Sequence, residues 1–291
     1  MQWDYKNAVV ATASPPSHKA WISTASLQKY TFLSIWNYNR CKNEEKNVQG
    51  SYITAIPLVA TEVFAMKLSV IIPVYNEEKT VLTVIEQVRN CGVPDLEILV
   101  VNDCSSDGTA EKLASLPPSA DLRIFHHERN MGKGAAIRTA QANVSGDAVI
   151  IQDADLEYSP TEFPRLFAPI EKGLADAVFG SRYSGREIMV DTFWHYFGNK
   201  VLTTASNIFS NLHLTDMETC YKMVKADIFK SFTLECNRFG FEPEITAKLA
   251  KRKARIYEMP IAYFARSNEE GKKIGWKDAV AAFWYILKYN L

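Results

Sequence analysis

Three acids follow one another in Ile150-Ile151-Gln152-Asp153-Ala154-Asp155-Leu156-Glu157. The run DAVIIQD reads as a buried strand, so Asp153, Asp155 and Glu157 stand at its exit. In extended backbone, alternate side chains share a face, which predicts that the three carboxylates crowd together. Crowded carboxylates repel one another and their pKa values rise unless a counter-ion intervenes. Mg²⁺ or Mn²⁺ suits the task, because such hard cations take few carboxylates plus phosphate oxygens of a substrate. The chemistry expected is neutralisation of the charge that builds on a departing diphosphate. The competing reading is a solvated acidic loop.

Other polar motifs also follow apolar runs. In Pro73-Val74-Tyr75-Asn76-Glu77-Glu78 the proline closes a strand and Asn76 is expected to cap a helix with acids in its first turn. Tyr75 then serves as a stacking plate, and Glu77 as an acceptor for a base or ribose. Asp103, just past Val101-Asn102, is costly to bury unless it is paired or faces a ligand, and an acid there commonly accepts bonds from a ribose or base. Asn130-Met131-Gly132-Lys133-Gly134 opens a helix that can receive an anion. Both G-x-x-x-x-G-K-[ST] and G-x-G-x-x-G are absent from it, which disfavours a phosphate loop or a dinucleotide fold. Lys133 is read as a positioned surface lysine, outside the site. Arg182, in Gly180-Ser181-Arg182-Tyr183, and Arg266 both follow strands, where they can hold phosphate; Lys200 lies on the intervening helix. No Ser-His-Asp or Cys-His motif suggests a covalent route, and His126 and His127 are read as structural.

The elements that must position these residues are legible as alternation. LSVIIPV, LEILVVN, LRIFHH, DAVIIQD and ADAVFGS are short, rich in β-branched residues and bounded by turn residues. Helical patterns lie between them at 77–90, 107–114, 132–144 and 160–172. This predicts an α/β fold, a mostly parallel sheet with helices on both faces, with ligands beyond the carboxyl ends of the strands. After Arg182 the alternation breaks. Helices are expected at 191–212 and 242–251, strands at 220–224 and 255–264, and a final amphipathic helix at 276–289, within a C-terminal extension at 267–291. Residues 1–65 lack periodicity and read as a poorly ordered extension, or as a start assigned ahead of Met66; the domain is expected at 66–291.

With 33 basic and 33 acidic residues among 291, nothing points to nucleic acid. Five cysteines without a C-x-x-C pair suggest reduced thiols in the cytoplasm. No run reaches the roughly 18–20 apolar residues of a bilayer span, and MQWDYKN does not begin as a secretory signal does. A cytoplasmic protein, at most peripheral at a membrane, is the expectation.

Together, SVIIPVYNE, ILVVND-x-SSDGT, N-x-GKG and DADLEY resemble family 2 glycosyltransferases of the GT-A fold, and within them the dolichyl-phosphate mannose synthase and polyprenyl-phosphate group. The likeness covers 68–291. It implies that Pro73, Tyr75, Glu77, Val101 and Asp103 hold the nucleoside. Asp153, Ala154 and Asp155 would serve the diphosphate, and Asp153, Asp155 and Glu157 the metal. Arg182 resembles the acceptor-phosphate arginine, acting with Asp155 in catalysis, and Arg266 a diphosphate-binding arginine. Glu157 stands where many of these synthases have glutamine, and Asn199-Lys200 where a second arginine is often seen. Residues 215–222, TDMETCYK, look like a subgroup signature near the acceptor.

The resemblance further implies inverting transfer of a hexose from a nucleotide-diphosphate sugar, of the GDP-mannose or UDP-glucose type, to a polyprenyl phosphate. Such an acceptor is already ionised and needs cations more than a base; the only base candidates are Glu242 and Glu244. The final helix, with Trp276, Phe283, Trp284, Tyr285 and Tyr289, either lies at a membrane interface or packs its aromatics on the domain or on a partner. A glycan hydroxyl acceptor and a non-catalytic sugar-nucleotide binding module are the alternatives. A nucleotidyltransferase is disfavoured, since PVYNEE is not its glycine-rich basic loop.

Overall fold

Val, Ile and Leu fill most of the first two runs, which suits burial on both faces, and both become interior strands. The computed structural model describes residues 66–185, 188–190, 192–238, 240–265 and 276–291. The chain divides into units 1–62 and 63–291; the first lies outside the described residues, as do the expectations for 1–65 and for Arg266. The strands are β1 (Leu68–Val74), β2 (Leu96–Asn102), β3 (Leu122–His126), β4 (Ala148–Ile151), β5 (Ala177–Ser181), β6 (Lys222–Lys225) and β7 (Ile256–Pro260). They form one sheet in the order β3-β2-β1-β4-β6-β5-β7. β6 runs antiparallel to both its neighbours, and the remaining pairings are parallel. The mostly parallel sheet expected from the alternation is present. Register aligns Val74, Asn102 and His126, so the loops after β1, β2 and β3 leave the sheet level with one another.

The helices are α1 (Val81–Arg89), α2 (Thr109–Ala114), α3 (Lys133–Gln141), α4 (Phe163–Glu171, after a 3-10 turn at Pro160–Glu162), α5 (Phe193–Ser210), α6 (Ala226–Lys230), α7 (Phe241–Lys251) and α8 (Trp276–Asn290). On α1, Val81, Val84, Ile85 and Val88 recur at helical spacing and are buried against the sheet; each such side chain contributes about 1.5–3 kcal/mol of transfer free energy. Helix α1 starts at Val81 rather than at residue 77. Asn76 does not cap it: its φ is 56°, and its Oδ1 accepts from the backbone N–H of Ser106 at 2.8 Å. That bond ties the β1 loop to the β2 loop, which matters more here than a cap. Helix α5 is shorter than expected and ends where Asn211 turns left-handed at φ 55°. β7 stops at Pro260, and beyond it only Tyr263 pairs, as an isolated bridge with Tyr158.

At the sheet's amino end Glu97 is buried and collects bonds from Ser69 Oγ (2.6 Å), Ser145 Oγ (2.8 Å) and Arg123 Nη2 (2.7 Å). Burial alone pushes its carboxyl up, but these donors outweigh burial and hold it at about 2.

Candidate active site

The loops at the carboxyl ends of β1 to β5 converge on two cations, and the first is Lys133. Gly132 precedes it with φ 97°, and a Cβ there would collide with the carbonyl of Asn237, so the turn into α3 requires glycine. The turn is held by Asp103, whose Oδ1 accepts from Met131 N–H (2.9 Å) and whose Oδ2 accepts from Gly132 N–H (2.7 Å). His127 Nδ1 lies 2.7 Å from Asp103 Oδ1, and its Nε2 lies 2.8 Å from Thr139 Oγ1. The carboxylate expected to face a ribose is thus buried and turned inward, because two backbone donors and an imidazole satisfy it there. Val101 is likewise buried inside the sheet, with no side-chain surface to offer a nucleoside.

Lys133 is no surface lysine. Its Nζ lies 2.9 Å from Asp153 Oδ1 and 2.9 Å from Glu242 Oε1, with Cys220 Sγ at 3.8 Å. Burial works against its charge, yet the two carboxylates outweigh burial and hold its pKa well above the usual lysine range. Sequence reasoning missed it because its partners come from the β4 loop and from α7, far along the chain.

The acidic segment is also arranged differently from the expectation. β4 ends at Ile151, so Asp153, Asp155 and Glu157 are not on extended backbone, and Leu156 turns left-handed at φ 62°. Asp153 pairs with Lys133; Asp155 Oδ1 accepts from Glu157 N–H at 3.1 Å; Glu157 Oε2 accepts from Tyr263 O–H at 2.8 Å. Ala154 is buried between the two aspartates in sequence. No group of three or more His, Cys, Asp or Glu able to hold a metal exists among the described residues. The expected three-carboxylate cluster is therefore corrected: the strand stops too early to align the acids, and Glu157 is drawn to Tyr263. Asp153 and Asp155 on one loop still fit a hard cation that takes one or two carboxylates and completes its shell with substrate phosphates.

The second cation is Arg182, one residue past β5. Its Nε donates to Asp216 Oδ2 at 2.7 Å and its Nη2 to Oδ1 at 2.8 Å, a two-pronged pair. Its backbone N–H donates to the same Oδ2, and Nη2 also reaches Asn199 Oδ1 at 3.3 Å. The rings of Tyr183 and Tyr263 lie 5.4 and 5.3 Å from the guanidinium. Burial pushes the Asp216 carboxyl up, but Arg182 more than compensates and lowers it. Nη1 has no hydrogen-bond partner among the described residues.

The segment 215–222 closes this side. Lys222 is fully buried and its Nζ donates to the carbonyls of Met217 (2.6 Å) and Thr219 (2.5 Å). Glu218 carries an Oε1 that is buried without a partner among the described residues; burial, then repulsion from Glu242, pushes its carboxyl up to about 7. Neither Glu242 nor Glu244 stands ready as a base. Glu242 holds Lys133, and buried Glu244 accepts from the backbone N–H groups of Glu235 (2.7 Å) and Cys236 (2.9 Å) and pairs with Lys248 (2.8 Å). Tyr75 remains exposed beside half-buried Pro73, while Glu77 accepts from Thr80 Oγ1 at 2.9 Å. Lys200 is exposed on α5.

A family model described as glycosyl transferase family 2 matches residues 69–233. An undecaprenyl-phosphate mannosyltransferase of Micrococcus luteus is 30% identical over 223 residues, covering 72% of this chain and 88% of that protein. A dolichol-phosphate mannosyltransferase of Pyrococcus furiosus is 27% identical over 221 residues, covering 72% of this chain but only 60% of the relative's length. Among solved structures, glucosyl-3-phosphoglycerate synthase of Mycobacterium tuberculosis in complex with uridine diphosphate superposes with a TM-score of 0.60 at 20% identity, covering 77% of this chain and 80% of that one. The same synthase with Mn²⁺, uridine diphosphate and phosphoglyceric acid gives 0.58 at 19% identity, covering 77% and 78%.

Proposed function

This chain belongs to glycosyl transferase family 2, and from that premise we propose that it transfers a hexose, with inversion, from a nucleotide-diphosphate sugar to a polyprenyl phosphate. The fold is GT-A. One observation carries the acceptor reading. The Tyr263 ring stands against the Arg182 guanidinium at 5.3 Å while its hydroxyl binds Glu157 at 2.8 Å. A single tyrosine thus separates the acidic loop from a buried arginine with one open N–H edge.

On this reading Tyr75 stacks on the donor base, with Pro73 and Glu77 beside it. Asp153 and Asp155 hold the diphosphate through Mg²⁺ or Mn²⁺, which when bound neutralises charge on the leaving phosphate oxygen. Arg182 directs Nη1 at the acceptor phosphate. One oxygen of that phosphate forms the new bond to the anomeric carbon as the bond to the diphosphate breaks on the opposite face. A phosphate is already ionised near neutral pH, so no side chain has to remove a proton, in keeping with the commitment of Glu242 and Glu244 to other partners. No described helix is long and apolar enough to cross a membrane, so we place the protein peripherally at the membrane that holds its acceptor.

The test is incubation with labelled GDP-mannose or UDP-glucose, divalent cation and polyprenyl phosphate, followed by solvent extraction. Label in the organic phase is expected; label only in water-soluble glycan rejects the lipid acceptor. Asp155→Ala should cut turnover about 10³-fold with an unchanged melting profile. Wild-type rates in that variant at saturating metal would remove Asp155 from the site.

A further inference from the structure

Helix α5 turns its small polar residues inward and its aromatic residues outward. Thr203 and Ser206 are 2% and 1% exposed, whereas Phe193, Trp194, Phe197 and Ile208 are 65%, 76%, 50% and 72% exposed. Phe193, Phe197, Val201 and Ile208 recur at helical spacing, so they form one stripe, with Trp194 at its margin. A solvent-facing helix normally carries the reverse pattern, and an apolar stripe of this kind marks a surface that meets something apolar.

The inner side of the same helix touches the acceptor arginine. Asn199 accepts from Arg182 Nη2, Thr203 Oγ1 accepts from Met217 N–H at 3.1 Å in the Asp216 loop, and the Tyr196 ring packs edge-on to Tyr183 at 5.4 Å. A helix with its side chains is about 10 Å across, so whatever lies on the stripe comes within about one helix diameter of Arg182. Charge selects among partners. Residues 193–210 contain no acid, while His195 and Lys200 are basic. An acid-free face of Phe and Trp suits the headgroup boundary of an anionic bilayer.

We propose that the outer face of α5 rests on an anionic phospholipid surface, so that Arg182 receives a phosphate presented from that membrane. The second half of this statement rests on the polyprenyl-phosphate reading; the first does not. Helix α8 adds exposed Trp284 nearby, but it buries Ile286 and Tyr289 against the domain. The interfacial role considered for that helix therefore falls mainly to α5.

The full chain is mixed with phosphatidylcholine vesicles, with or without phosphatidylglycerol at about a 7:3 ratio, and separated by flotation. Wild type should float with the anionic vesicles, and F193S/W194S/F197S should lose binding at least tenfold while melting as wild type does. Transfer to a water-soluble short-chain prenyl phosphate should be unchanged in this variant, and transfer to a long-chain acceptor in vesicles should fall at least tenfold. If neither acceptor is labelled, the acceptor reading fails, and flotation still decides the role of α5. The proposal is overturned if wild type stays in the aqueous phase or if the variant floats equally well. It is also overturned if light scattering shows a wild-type dimer that the substitutions dissociate, since a second copy then covers the stripe.

Discussion

Arg182 is matched by one carboxylate and Lys133 by two, and this difference divides the site into a balanced half and an acid-rich half. Around Arg182, the Asp216 carboxylate cancels the guanidinium charge within a pair buried on both sides. Around Lys133, Asp153 and Glu242 together exceed the ammonium by one negative charge, before Asp155 is counted. The lesson concerns what each half can receive. A neutral pair with one open N–H edge can accept a phosphate through a directed bond without a large field. An acid-rich pocket repels a bare diphosphate and accepts one only together with a cation.

The largest effect that would break this contrast is expected at Asp216. Asp216→Ala strands a buried guanidinium, and loss of one partner from a buried pair costs about 3–5 kcal/mol. Urea unfolding should show that loss. A change below about 1 kcal/mol would mean that Arg182 is solvated and that the two halves are not differently built.

A buried carboxylate with no proposed ligand sharpens the comparison next. Glu97 has a folded pKa of about 2 against an ordinary value of 4.5. A depressed carboxyl stabilises the fold at pH values above 4.5, and that stability is lost as pH falls from 4.5 toward 2. The shift corresponds to about 3 kcal/mol at neutral pH. Glu97→Gln should flatten the stability–pH curve in that window and leave donor binding unchanged. An unaltered curve would show that the Ser69, Ser145 and Arg123 bonds persist in the unfolded chain or do not hold the carboxylate.

Lys133→Met should act in the other direction, on function more than on fold. Without the ammonium, Asp153 and Glu242 are left facing one another, their pKa values rise, and the loop that carries Asp155 loses its tether. Turnover is expected to fall about 10- to 100-fold, equivalent to about 1.4–2.8 kcal/mol, while the urea midpoint moves less than for Asp216→Ala. Equal losses of stability at the two positions would erase the distinction between the halves.

Much of this arrangement was legible in the sequence, and the rest has a common reason for being hidden. Strand runs such as LSVIIPV and LEILVVN declared a sheet because burial on both faces demands continuous apolar residues, and the motifs at their ends declared where a ligand sits. Pairings between distant segments left no such trace. Lys133 meets Glu242 across 109 positions, and Arg182 meets Asp216 across 34; neither hydropathy nor spacing encodes such a meeting. Asp103 was assigned to a ligand because a buried acid needs a partner, and that premise holds. The partner is the chain's own Met131–Gly132 backbone with His127. The alternation rule failed at Asp153 for a local reason, since it applies only while the backbone is extended and β4 has ended at Ile151.

The smallest effect is expected where the halves touch. Tyr263→Phe keeps the ring against Arg182 and removes the one hydroxyl that donates to Glu157. A hydrogen bond to a charged group contributes about 1.5–3 kcal/mol in burial and less where water can replace it. Glu157 is only half-buried, so a stability loss near 1 kcal/mol is expected. The kinetic signature is more discriminating. If the hydroxyl merely braces the loop, the Mg²⁺ or Mn²⁺ concentration for half-maximal rate should rise a few-fold while KM for the acceptor stays constant. Movement of the acceptor KM alone would place Tyr263 with the Arg182 half, and the boundary between the two halves would then run through Glu157 instead of through the tyrosine.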